Sequence, residues 1–103
     1  MTDISSIITN QRWLPNDSAA VTTAGWTAVS GTVTFSLYEN GDCSGTAVAT
    51  FTDSSAPYET NNTTLYTSNQ TISWKAHFEA DNGVAASDSS CEVSTVTINN
   101  NYP

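Results

Sequence analysis

Positive charge is almost missing from this chain. Arg12 and Lys75 are its only fixed cations, against ten acidic residues, and the net charge is −8. That balance argues against nucleic acid as a partner, since binding it takes a basic patch that displaces counterions. It argues equally against anionic membrane surfaces. No run of roughly eighteen apolar residues occurs, so no transmembrane helix or membrane insertion is expected. The segment after Met1 has neither the basic nor the apolar region of a signal peptide. This is the pattern of a domain excised from a larger exported protein, with a free-standing cytosolic protein as the alternative. Histidine and lysine each occur once, at His77 and Lys75. There is no Gly-x-Ser-x-Gly elbow, no His-Glu-x-x-His and no Cys-His pairing. The expectation is therefore no catalytic residue, no cofactor and no enzyme.

Aromatic residues make up 10% of the chain and argue against disorder, since disordered chains are poor in them. The polar fraction is mostly Ser, Thr and Asn, which suit the solvent face of strands and the turns between them. With 103 residues there is room for one domain and one core. Residues 1–103 read as that single domain, with 99–103 as a linker to a neighbour.

Hydrophobic periodicity is two rather than 3.6. Ile72, Trp74, Ala76, Phe78 and Ala80 fall on one face of a strand, and Ser73, Lys75, His77 and Glu79 on the other, the pattern of a half-buried antiparallel strand. Val33, Phe35 and Leu37 alternate with Thr34, Ser36 and Tyr38. Asn40-Gly41 follows and signals a hairpin, whose returning strand covers residues 46–52. Weaker strands are expected over residues 4–9, 19–23 and 58–67, the last anchored by Leu65 and Tyr66. The final strand runs from Cys91 or Glu92 to Asn99. Val93 and Val96 are three apart and cannot share a face there, so a bulge near Ser94 and Thr95 is expected. About seven short strands with turn signals roughly every ten residues read as an all-β, immunoglobulin-like antiparallel sandwich.

The stretch from Gly31 through Gly45, Gly-Thr-Val-Thr-Phe-Ser-Leu-Tyr-Glu-Asn-Gly-Asp-Cys-Ser-Gly, resembles the central hairpin of bacterial Ig-like repeats from large secreted and adhesin-type surface proteins. Thr71-Ile-Ser-Trp-Lys-Ala-His-Phe-Glu-Ala80, then Cys91 and Val96-Thr-Ile98, resemble the closing hairpin of those repeats. The resemblance implies a stalk, spacer or adhesive module at the cell surface, with neighbouring domains as partners. Trp74 lies far closer to Cys91 than to Cys43, unlike the spacing in antibody domains.

The residues that could carry chemistry are few. Cys43 and Cys91, the only cysteines, read as a disulfide. It would close a loop of about fifty residues, with a stabilisation on the order of 4 kcal/mol. In a simple sandwich these positions can fall at opposite ends, so the bridge requires Cys91 well inside a long final strand or an unusual connection after Ala80. Glu79, Asp81, Asn82 and Asp88 gather near one loop, and Glu39 with Asp42 near another. Hard oxygen ligands suit Ca²⁺, but the EF-hand spacing is absent and solvated acidic loops explain the cluster better. An intramolecular isopeptide bond would need a buried lysine, and alternation turns Lys75 outward. Trp13 and Trp26 lie in connections and either cap the open ends of the sandwich or present rings to a glycan or a host surface protein. Thr32, Thr34, Thr95 and Thr97 alternate as a flat hydroxyl face for an ordered surface would, although strand propensity also accounts for them. Asn16, Asn61, Asn62 and Asn69 each begin an N-x-Ser/Thr triplet, as expected by chance in such a composition.

Overall fold

The computed structural model describes residues 3–25 and 27–98. Trp26 and the 99–103 linker lie outside the described residues. Among the described residues seven strands occur in chain order: β1 Ser18–Ala19, β2 Gly31–Tyr38, β3 Ala49–Asp53, β4 Tyr58–Glu59, β5 Gln70–Ala80, β6 Ser87–Asp88 and β7 Glu92–Val96. No helix occurs among the described residues, and none is long and apolar enough to cross a membrane. The strands form two antiparallel sheets, β3-β2-β5 with β6 and β7 along the far edge of β5, and the pair β1-β4. The chain is an all-β sandwich.

The larger sheet follows from strict alternation. Val33, Phe35 and Leu37 of β2 point inward and are buried, and their neighbours are half-exposed. β5 supplies Ile72, Trp74 and Phe78 to the same core. Each such side chain contributes roughly 1.5–3 kcal/mol on burial. Leu37 lies opposite Trp74, Phe35 opposite Ala76 and Val33 opposite Phe78, so along the inner face of β5 the small Ala76 between two large rings stands opposite Phe35. Tyr58 and Tyr66 close the core from the other layer. The Tyr58 hydroxyl donates to the Gly31 carbonyl at 3.1 Å and its ring meets Phe78 edge-on, with centroids 6.3 Å apart. Gly31 is required at that point. It has φ +157°, and a Cβ there would overlap the Glu79 carbonyl oxygen and lie 2.7 Å from Ala80 Cα.

Three sequence expectations are corrected. Residues 4–9 form no strand, and Ile4 and Ile7 are 90% and 87% exposed. Ile4, Ser6 and Ile8 would share one face of a strand and Ile7 the other, so neither face buries enough to hold the segment down. The smaller layer is also narrower than residues 19–23 and 58–67 implied. β1 and β4 are two residues each, supplemented by a backbone pairing of Trp13 with Tyr66, and Leu65 is exposed while Tyr66 is buried. Side chains do the joining there. Asn62, only 4% exposed, donates its amide to the Pro15 and Thr64 carbonyls at 3.0 and 3.3 Å, while Asn16 Oδ1 accepts from Asn62 N at 2.8 Å and from Thr60 Oγ1 at 2.7 Å. A glycan on Asn62 is thus incompatible with the folded chain.

The third correction moves the bulge. β7 pairs β5 in unbroken register from Trp74 opposite Glu92 to Gln70 opposite Val96, while β6 pairs Phe78 with Ser87 and His77 with Asp88. Between these ladders Lys75 and Ala76 face three residues, Ser89, Ser90 and Cys91. The extra residue therefore lies at 89–91 rather than at Ser94 and Thr95. There Ser89 binds Ala76 twice, Oγ accepting from Ala76 N and its own N donating to Ala76 O, both at 2.8 Å. Val93 and Val96 then take opposite faces, exposed and buried respectively.

Candidate functional site

Cys43 and Cys91 are joined by a disulfide, with Cα atoms 5.9 Å apart. Two features reconcile the bridge with the sandwich. β6 and β7 act as one bulged final strand, which places Cys91 inside it. From the β2 side, residues 39–48 form a strap that crosses the outer face of β5. Cys43 adopts φ +52° at the crossing, its N–H donates to Ser73 Oγ at 3.1 Å, and its Sγ lies 3.5 Å from the Trp74 carbonyl. Asn40 shapes the strap, its amide donating to Ser44 O at 2.9 Å and its Oδ1 accepting from Asp42 N and Ser44 N at 3.3 and 3.4 Å. Ser73, which alternation places on the solvent face, is fully buried beneath this strap. A disulfide of this kind fits an oxidising compartment.

Trp13 is fixed by its backbone, which exchanges hydrogen bonds of 2.9 and 2.8 Å with Tyr66. Its residue is 36% exposed and lines an open hollow of about 370 Å³, together with Gln11, Arg12 and residues 94–98. A second hollow of about 360 Å³ opens between the sheets, with Val33, Ala76 and Phe78 as its floor and Ser87 to Ser89 as one wall. Both are small for ligand sites, which range from about 300 to 1,000 Å³.

The acidic candidates separate. Glu79 and Asp88 converge on His77 rather than on Asp81: His77 Nδ1 lies 2.7 Å from Asp88 and Nε2 lies 2.9 Å from Glu79. These two hydrogen bonds push the imidazole pKa upward, with Glu79 the larger cause. With a carboxylate on each ring nitrogen, the imidazole has no site left to take a proton from a hydroxyl. No group of three His, Cys, Asp or Glu side chains suited to a metal occurs among the described residues. Lys75 is exposed and Trp74 buried, as alternation requires.

The threonine face is interrupted. Thr32 lies opposite Glu79 at one end of β5 and Thr95 opposite Thr71 near the other, and the strap and the His77 cluster occupy the surface between. Sequence reasoning missed Ser73 and Asn62, the two buried polar residues among those described. For Ser73 the available signal was Cys43 in the connection that follows β2. A polar Asn run gave no such signal for Asn62. The Tyr66 hydroxyl is buried without a hydrogen-bond partner. Burial, reinforced by the nearby Glu39 carboxylate, pushes its pKa up to about 12. No protein-family profile, curated protein or solved structure matches the chain.

Proposed function

We propose that the chain is a non-catalytic structural module, an Ig-like spacer or adhesive domain of a multi-domain protein at the cell surface or secreted from it. One observation carries this reading: apart from the Tyr66 hydroxyl, the polar side chains described above that the fold buries or brings together are consumed by bonds within it. Asn62 and Ser73 hold the layers and the strap, and His77 is clasped on both sides. The disulfide, the acidic surface and the resemblance to bacterial Ig-like repeats support an extracellular setting. Its partners on this reading are the domains before and after it in the parent protein.

The second reading is a carbohydrate- or protein-binding module, and Trp13 at the mouth of its hollow is what favours it. A glycan array combined with tryptophan-fluorescence titration separates the two. The structural reading predicts no saturable response. Saturable binding that disappears in Trp13→Ala, with the fold intact, would defeat it.

A further inference from the structure

The bridge does something specific to a domain that is pulled from its ends, and this inference rests on the structural reading above. β2 begins with Gly31 opposite Ala80, at one end of β5, and finishes with Tyr38 opposite Ser73. β7 begins with Glu92 opposite Trp74 and finishes with Val96 opposite Gln70, at the other end. The two strands therefore run in the same direction on opposite edges of β5, each covering a different stretch of it, and they overlap only at Ser73 and Trp74. That overlap is where the strap crosses, with Cys43 held against Ser73 Oγ and the Trp74 carbonyl, and where the bridge reaches Cys91.

We propose that the bridge makes the domain a tether of capped extension: β2, the strap, the disulfide and β7 form one covalent line through the sandwich, and tension between the ends cannot draw out residues 44–90. The line spans the 11 residues of β5, about 35 Å at ~3.3 Å per residue. Tension leaves it at Gly31 in one direction and at Val96 in the other. The ladders on both edges of β5 are thus loaded along the strands, in shear, with many hydrogen bonds sharing the force. The smaller layer is loaded differently. Trp13 and Val96 line the same hollow, so the chain enters beside the point where it leaves. Its early residues are held by the Trp13 pairing, the two-residue β1 and the Asn16 and Asn62 side-chain bonds, contacts that break in succession rather than together. The segment before Gly31 yields first, and the covalent line sets the limit.

The test is constant-force stretching of a tandem array of the full chain, oxidised, with handles at both ends. An oxidised domain is expected to extend only by the residues outside the ring. Addition of dithiothreitol under force then adds a further extension of about 160 Å per domain, from the 48-residue separation of the cysteines at ~3.3–3.6 Å each. A Cys43→Ser/Cys91→Ser array is expected to release the full length without reductant; because the reductant arm uses the unaltered chain, the test does not depend on that variant folding. Full release by the oxidised array, or no added extension with reductant, would overturn the proposal and leave the structural reading standing. Saturable glycan binding through Trp13 would instead defeat the structural reading on which the proposal rests, whatever extension is measured.

Discussion

Removal of the disulfide is the perturbation whose size follows most directly from the structure. Cys43→Ser/Cys91→Ser opens a covalent loop whose ends are 48 residues apart. In the chain-entropy treatment a loop of that length adds about 14 cal/mol/K to the freedom of the unfolded chain, or about 4 kcal/mol at 25 °C. Domains of this size are stable by only about 5–15 kcal/mol, so the variant should lose about a quarter of its stability or more. Cys43 N–H also anchors the strap on Ser73, and a serine at Cys43 preserves that bond, which keeps the loss close to the entropic figure. Equilibrium urea unfolding followed by tryptophan fluorescence measures it. The variant should show a lower midpoint and a larger m-value, because its unfolded state is no longer held compact. A loss under 1 kcal/mol with an unchanged m-value would refute the reasoning.

Three further outcomes are expected. Gly31→Ala should cost about 2–4 kcal/mol by thermal melting, because its Cβ meets β5 backbone that cannot retreat and its φ is disfavoured for a side chain; a cost below 1 kcal/mol would show that β2 and β5 can separate there. Tyr66→Phe should leave stability unchanged or raise it by up to about 1 kcal/mol, since the hydroxyl it removes is buried without a partner; a clear loss in chemical denaturation would reveal a bond to Glu39. The His77 imidazole should titrate above 6.5 in NMR, its folded pKa raised by Glu79 and Asp88. Its stabilising contribution is then fully present below pH 6.5 and is lost as pH rises through the folded value. His77→Gln should abolish that pH dependence, and a midpoint at or below 6.5 would remove the basis for it.

The larger sheet was legible because burial on one face of a regular strand leaves a period-two record. Val33, Phe35 and Leu37 and the alternate residues from Ile72 to Phe78 carry it, and β2 and β5 lie where that record placed them. The smaller layer left no such record. Side chain-to-backbone bonds from Asn16, Thr60 and Asn62 hold it more than ladders do, and polar residues of that kind read as loop. The three-residue spacing of Val93 and Val96 pointed to a bulge near Ser94 and Thr95, whereas β7 keeps a regular register there and the two side chains take opposite faces. The bulge itself was hidden, because Ser89, Ser90 and Cys91 have no hydrophobic phase to break.

The functional residues divide in the same way. The cysteine pair was readable from its count alone, but its route was not, because a strap that doubles back over β5 depends on the left-handed conformation of Cys43 and on Ser73 beneath it. Glu79 and Asp88 were readable as an acidic cluster. Only the pairing of β5 with β6, which sets His77 opposite Asp88, shows that they clasp an imidazole. Trp13 was singled out for lying outside the strong strands, and it is pinned by its backbone to Tyr66 while the residue stays 36% exposed.

The bridge between β2 and β7 underlies both the stability and the capped extension, so its existence in the isolated protein is the most direct test. Peptide mapping by mass spectrometry after alkylation without reductant should give one linked species containing Cys43 and Cys91, which separates into two only on reduction. Two alkylated thiols recovered from the folded, unreduced chain would contradict the account.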